Sequence, residues 1–509
     1  MKKILALALA VLMLLSFGAC GKDEAKGTAG TPAGNGGGSV SQVKPEGDPR
    51  PAFEGSWLGP VRDRGLIGFV DPYGKMVIEP LYDDYAVSGT PGLIRVCLDG
   101  KWGYIDKSGN TVIQIQYEAI SDFDQNGLAK IQLGGRYGCV NMSDETVVPP
   151  YYDQIDSFDA QGLARVQLDE DWGYIDSTGN TVISPSYQDI GSISENGLIP
   201  VKVDGKWGYI DKTGATVIEP RFEFARAFSQ NGLALVQTEG KWGYIDETGA
   251  LVIPGQFEDA WAFSEFGLAE VMEGGKWGLI DSTGAWVAEP RFSLIEPFSE
   301  GLAAVQVGEL WGFLDPEGQM VIEPQFTEVG QFLEGLAPAC SGEAWGYIDT
   351  TGSFLLEPQF QKAESFGSRS FAAVELEGMQ NFIDREGNFL FPMEYESLRL
   401  LSDGSFLLRK EGLYGYADST AAVLLEPLYQ SIGALGSGGL LAVCQEDKWG
   451  YADLTGKVVI DFQYEKAGHF TECGVAAVAE NGMWGYILAD GTVIVTPQFE
   501  AAGDFIRVG

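Results

Sequence analysis

A tryptophan followed by glycine returns at a fixed interval along almost the whole chain. Trp102, Trp172, Trp207, Trp242, Trp277, Trp311, Trp345, Trp449 and Trp484 share one slot, and successive slots lie 34 or 35 residues apart. Ile67, Tyr137, Gln380 and Tyr414 fill that slot in weaker copies, which makes thirteen copies from about residue 53 to the end. A unit this short cannot bury a core alone, so the period calls for identical supersecondary units stacked against one another. The length of 509 residues, too great for one ordinary domain, suits such an array.

Each copy reads as β. Between Gly232 and Phe263, LALVQTEG places Ala234 and Val236 on one face of a strand, and KWGYID follows a short turn. After the turn ETGA, LVIP is expected as a third strand closed by Pro254, with FEDAWAF as a short fourth strand or an irregular connection. The Asp of WGYID (Asp106, Asp176, Asp211, Asp246, Asp281, Asp315, Asp349, Asp384, Asp418, Asp453) precedes a glycine by three residues, except that Ala421 follows Asp418. An Asp there accepts backbone N–H bonds while Gly takes the positive φ. Pro80, Pro185, Pro220, Pro290, Pro324, Pro358, Pro427 and Pro497 are expected to end strands, where a missing N–H does no harm. Two residues on stands an aromatic, such as Phe222 or Tyr464, and six further on a second one, such as Phe228 or Phe470; both suit the seams between units. The glycine after each tryptophan is expected to provide a flat place on which an indole lies.

With KWGYIDKTG, VI.P.F and F..GLA.V in this order, the chain resembles the bacterial WG-repeat (KWG-repeat) family over nearly all of its length past the N-terminal segment. The resemblance implies a repeat fold and brings no catalytic residue with it. The expected fold class is all-β: about thirteen tandem antiparallel units of three to four strands, propeller-like, either as one ring or two, or an open superhelical array. The last residues, FIRVG, resemble the start of another first strand, which would suit ring closure.

The N-terminus is different. MKKILALALAVLMLLSFGAC has two lysines, an apolar run too short to span a bilayer, and small residues before Cys20, and it reads as an export signal over residues 1–19. FGAC resembles a bacterial lipoprotein signal, which implies lipidation at Cys20 and attachment to the outer face of the cell membrane. Residues 20–52 are rich in Gly and Pro with little to bury and read as a tether, roughly 30 Å from end to end. Residues 53–509 are expected to form the array, either whole or in two propeller-like halves. Of the remaining cysteines, only Cys444 with Cys473 is a candidate bridge, and the chain does not read as disulfide-stapled.

Lys and Arg number 33 against 72 Asp and Glu, a net charge of −39, which argues against nucleic acid and anionic lipid surfaces as partners. A single histidine, His469, rules out histidine-based triads and HExxH sites, and no P-loop or GxSxG occurs. The cysteines lack zinc spacing, and the D-x-x-G turns lack the further acids of a calcium loop. Asp461, where other copies have Glu-Pro, is a departure from the repeat that could belong to a catalytic site. The expected function is a non-enzymatic, monomeric binding or scaffold protein for a protein or cell-wall glycan partner, needing no cofactor or metal. Its contacts are expected in the variable segments SDFDQNG, SISENG and ALGSGG. The alternative is a glycan-directed hydrolase with a carboxylate pair on a propeller-like face.

Overall fold

The computed structural model describes residues 53–367 and 369–509. Cys20, the segment read as a signal peptide and the segment read as a tether lie outside the described residues.

The described chain forms thirteen small antiparallel sheets, here called blades 1 to 13 in chain order. Blade 6 shows the plan. A two-residue first strand, Phe224–Ala225, is followed by a second, Ala234–Thr238, a third, Lys241–Ile245, and a fourth, Leu251–Phe257. The second and third strands turn through Glu239 and Gly240 at φ values of 52° and 73°, the backbone of a two-residue type I′ hairpin. The Glu223 carboxylate caps that turn by accepting from Gly240 N at 2.7 Å. The third and fourth strands turn at the aspartate as the sequence implies. Asp246 Oδ1 accepts from Thr248 N at 2.9 Å and Ala250 N at 3.0 Å, and Gly249 takes φ 84°.

Two boundaries differ from expectation. The segment after each aromatic, such as Asp259–Ala260 in FEDAWAF, is not the last strand of its own copy; it is the first strand of the next sheet. The prolines do not end their strands either. Pro220 lies inside Thr216–Phe222, at a point where the register with the third strand is broken, so its missing N–H leaves no pairing partner stranded.

Closure follows from the two chain ends. Blade 1 takes three strands from Trp57–Asp63, Leu66–Val70 and Met76–Tyr82, and its first strand from Ala501–Ala502; Ile506–Arg507 pairs further along the same edge. The FIRVG end therefore completes the first blade. The apolar side chains fall into thirteen clusters, one at each junction of neighbouring blades. An open stack of thirteen sheets would have only twelve junctions. The thirteenth places Tyr486, Val495 and Phe499 of blade 13 against Val61 and Val70 of blade 1. The array is thus one closed propeller of thirteen blades, neither two rings nor an open superhelix.

Both faces of each sheet are buried. In blade 6, Ala234 and Val236 pack with Tyr209, Ile218 and Phe222 of blade 5, while Leu235, Tyr244, Ile253 and Phe257 pack with blade 7. The aromatic after the proline and the one six residues later both enter these seams, as expected. Phe263 lies 4.7 Å from Tyr244, ring centre to ring centre, and Phe228 lies 5.0 Å from Tyr209.

The glycine has a different role from the one its neighbour suggests. A Cβ on Gly243 would lie 2.6 Å from Ile253 O, 2.7 Å from Gly255 N and 2.8 Å from Pro254 C, all backbone of the fourth strand. Trp242 pairs with Phe257 and Tyr244 with Ile253, so three residues of the fourth strand bulge over this one glycine. No indole lies on it; the glycine admits a backbone. Blade 10 carries the natural exception. Asn381 stands at the glycine position, and that blade has three strands, with the chain leaving the sheet after Met379–Asp384. The buried Asn381 amide instead donates to Phe391 O at 2.8 Å, holding the displaced chain.

The tyrosine of WGY, to which the sequence reading gave no role, is the principal filling of the seam. Tyr104, Tyr209, Tyr244, Tyr347, Tyr451 and Tyr486 are almost wholly buried. Tyr209 donates to Arg226 O at 2.7 Å, Tyr244 to Trp261 O at 2.6 Å and Tyr451 to Gly468 O at 2.8 Å, always 17 residues on, in the start of the next blade. Tyr244→Phe keeps the ring and loses the bond. It is expected to cost ~1 kcal/mol, the net worth of one such hydrogen bond; urea denaturation of the two proteins measures it.

Candidate functional site

Antiparallel pairing sends the connections from first to second strand and the aspartate turns to one edge of every blade, and the tight hairpins to the other. The variable segments named from the sequence all lie on the first of these edges. In SDFDQNG, Asp124 Oδ1 accepts from Asn126 N and Leu128 N at 2.8 and 3.1 Å. In SISENG, Ser194 Oγ accepts from Phe228 N of the next blade at 2.9 Å. In ALGSGG, Ser437 N donates to Phe470 O of the next blade at 2.8 Å. Similar links elsewhere, such as Glu300 accepting from Glu334 N and Gly335 N at 2.6 and 2.8 Å, join the connections into a belt along this edge. Its backbone is fixed while its side chains vary.

The tryptophans sit at the seam rims. Most are half-buried, packed against the edge of an apolar cluster. Arg165 lies over the Trp172 ring at 5.2 Å, held there by Asp156 Oδ2, which accepts from Arg165 Nε at 2.8 Å. No constellation of reactive groups recurs beside them. The turn aspartates are committed to their own donors: the Thr213 hydroxyl first, and then backbone N–H groups, hold Asp211 below the usual carboxylate range.

Departures from the repeat open cavities at three places. The largest, about 680 Å³, lies where blade 10 lacks its fourth strand, between Phe371, Asp384, Phe389 and the Ser419–Ala422 turn of blade 11. The other two, about 290 and 310 Å³, are the same position in two blades. The slot after the glycine holds Tyr or Phe in eleven blades, but Cys139 in blade 3 and Leu279 in blade 7. Without the phenol, the space between Leu128 and Phe158, and equally between Leu268 and Phe298, stays empty of protein. The repeated alignment contained this signal, at a slot read only as part of a strand.

The two small cavities differ in charge. Opposite Cys139 stands Lys130; opposite Leu279 stands Glu270. Burial, and secondly the Glu296 charge, push the Glu270 carboxyl up to about 7. Its native pKa exceeds the 4.5 of an ordinary glutamate, so ionisation is disfavoured in the folded chain. The resulting cost is absent below about pH 4.5, grows between there and pH 7, and is complete above. Glu270→Gln is therefore expected to stabilise the ring at pH 8 by ~1 kcal/mol, after allowing for solvent screening of a partly exposed group. At pH 4.5 it should change nothing. Melting curves at the two pH values check this, and an equal effect at both would contradict it.

The remaining candidates from the sequence are dispersed. His469 is half-exposed, with Nδ1 3.8 Å from Asp504 Oδ2. Asp461 is exposed on a fourth strand and lines none of the three cavities. Cys444 and Cys473 do not bridge, and all five described cysteines are free. The Cys139 thiol is buried and pushed up to about 12, chiefly by desolvation, which makes it unreactive. Among the described residues, no group of three or more His, Cys, Asp or Glu side chains is placed to hold a metal ion.

Comparison with known proteins agrees with the strand pattern. A family pattern described as WG containing repeat matches at residues 67–102, 102–137, 137–170, 172–207, 207–242, 242–277, 277–311, 311–343, 345–379, 382–414, 414–449, 449–484 and 484–507. No curated protein matches the sequence. Among solved structures, the chain is similar to the extracellular domain of a B. thetaiotaomicron protein described as a hybrid two-component system, with 9% identity over 87% of this chain and 76% of that one, at a TM-score of 0.20. The extracellular domain of a one-component system from the same organism gives 10% identity over 87% and 77%, also at 0.20. Kluyveromyces lactis Hsv2p gives 11% identity over 45% and 92%, at 0.26. Such scores are low, and the thirteen-bladed ring stands on its own strand pairing.

Proposed function

This chain belongs to the WG containing repeat family, and from that premise we propose that it is a non-catalytic ring that presents a binding surface outside the cell. In this reading it is a monomer, carried to the outer face of a bacterial cell membrane by a lipid on Cys20 and held off it by residues 20–52. Its partner is a protein or a cell-wall glycan, met along the edge of variable connections. The observation that carries the reading is the division of labour within the repeat. The recurring Gly, Tyr, Asp and seam aromatics are all occupied in building blades, whereas the variable side chains are gathered on one fixed edge. The net charge of −39 disfavours anionic wall polymers and nucleic acid as partners.

Binding is tested with the whole exported protein on a glycan array and against a cell-envelope protein extract, with variants altered at residues 121–127, 192–197 and 434–439. Loss of capture in those variants supports the reading; capture that ignores them counts against it. Mass spectrometry of the mature N-terminus tests the lipid. A second reading, a glycan-directed hydrolase, draws on Glu270, a carboxyl with a raised pKa beside the like charge of Glu296. Hydrolysis of a wall glycan that Glu270→Gln abolishes would replace the first reading with the second.

A further inference from the structure

In blades 2, 3 and 4 the second-strand residue opposite the tyrosine slot is a cation that spans the seam. Arg95, Lys130 and Arg165 donate to Ile120 O, Ile155 O and Ile190 O of the next blade, each at 3.1 Å. In two of these blades the tyrosine hydroxyl donates to the following carbonyl, Ser121 O and Gly191 O, at 2.9 Å. Blades 2 and 4 thus meet two carbonyl acceptors at the start of the following blade with two side-chain donors, and blade 3 meets one of them.

Blade 7 lacks both donors, as blades 1, 8 and 10 do, and it alone sets an acid in the slot of the cation. Leu279 replaces the tyrosine, and Glu270 replaces the cation with an acceptor. Among the described residues, no side chain donates to Ile295 O or Glu296 O, the corresponding carbonyls, or to the Glu270 carboxylate. The Ser264 hydroxyl on the cavity wall is already spent on Leu268 O at 3.1 Å. What remains is a cavity of about 310 Å³ whose lining includes the carboxyls of Glu265 and Glu270. Leu279, the cross-strand neighbour of Glu270, lines it as well, with the rings of Phe266 and Phe298, 5.2 Å apart. Carboxylate with aromatic faces and no competing donor is the surrounding that favours a cation carried on an apolar stem.

The geometry points to a primary alkylammonium group as the ligand of this cavity, its nitrogen at Glu270 and its methylenes along Leu279, Phe266 and Phe298. The ligand supplies from outside the cation that blades 2 to 4 carry on their own chain. A free diamine and a lysine side chain share this chemistry. The assignment rests on the binding-module reading only in treating the cavity as a resting place for a ligand. Chemical conversion of a bound amine would overturn that reading and leave the site standing.

Calorimetry with the full chain at pH 8 tests it, using cadaverine, Nα-acetyl-lysine amide and 1-pentanol. Both amines should saturate one site, with the neutral alcohol at least about tenfold weaker. The tighter of the two amines identifies the source, diamine or side chain. Glu270→Gln should weaken the amines at least about tenfold, and Leu279→Tyr, which restores the ring found in eight other blades, should close the site without loss of thermal stability. Near-ultraviolet circular dichroism confirms that each variant is folded. No saturable binding of either amine, unchanged binding in both variants, or equal binding of pentanol would overturn the assignment.

Discussion

Removing residues 500–509 is expected to open the ring and to cost more stability than any single side-chain change. The segment supplies the first strand of blade 1 and one side of the closing seam. Glu500 N donates to Arg62 O, Gly503 N to Pro60 O, Val508 N to Ser56 O, and Ser56 N donates back to Gly509 O, all between 2.7 and 3.0 Å. Phe505 and Val508 are buried, and burial of two such side chains is worth ~4 kcal/mol before the pairing is counted. Tyr486 would also lose its acceptor at Gly503. Because the remaining blades still stack, the truncated chain should keep its far-ultraviolet spectrum while its radius of gyration rises. It should also self-associate through the exposed edge of blade 1. A synthetic peptide of residues 500–509 should reverse the association. A truncated chain that melts and scatters like the intact one would mean that blades 13 and 1 are held by something other than this segment.

The second large effect is expected at the glycine of the repeat. Gly243→Val sets a side chain against the backbone of Ile253–Gly255, which cannot give way as a side chain would. The fourth strand should then leave the sheet, as it has in blade 10 around Asn381, at a cost of ~3 kcal/mol from overpacking and lost pairing. Hydrogen exchange should speed up across Leu251–Phe257 while distant blades stay protected, since each blade contacts only its neighbours. Gly89→Ala is the control. That glycine is exposed, and the nearest atom to its added Cβ, Asp122 Oδ2, is 3.8 Å away. A valine at 243 that leaves the strand protected would refute the backbone account of the motif.

The sequence carried the period, the strand class, the aspartate turns and the seam aromatics because each is written in residues close together. Closure was legible only in part: FIRVG resembles the start of a strand and suits a ring, but the first strand of blade 1 is Ala501–Ala502, with Ile506–Arg507 pairing beyond it. Other features depend on partners far away in sequence or across a sheet. The glycine's need is set by a bulge ten residues later, and nothing beside it names that contact. Hence the sequence alone ties it to the neighbouring tryptophan. The short segment after each aromatic looked like the end of its own copy, although its hydrogen bonds lie with the next. The cavities were written as absences: a tyrosine missing at Cys139 and Leu279, and a basic or neutral residue exchanged for acid at Glu270. Such departures acquire meaning only when register shows that Glu270 and Leu279 stand opposite one another. Asp461 departs from the repeat just as clearly, but its exposed side chain makes no hydrogen bond or ion pair among the described residues.

The central claim is that the Trp-Gly repeats are building units that close into one ring of thirteen. Electron-microscope projections down the ring axis of the intact protein test it most directly. A single unbroken annulus divided into thirteen blades is the predicted image; two smaller rings, or a curved rod with free ends, would contradict it.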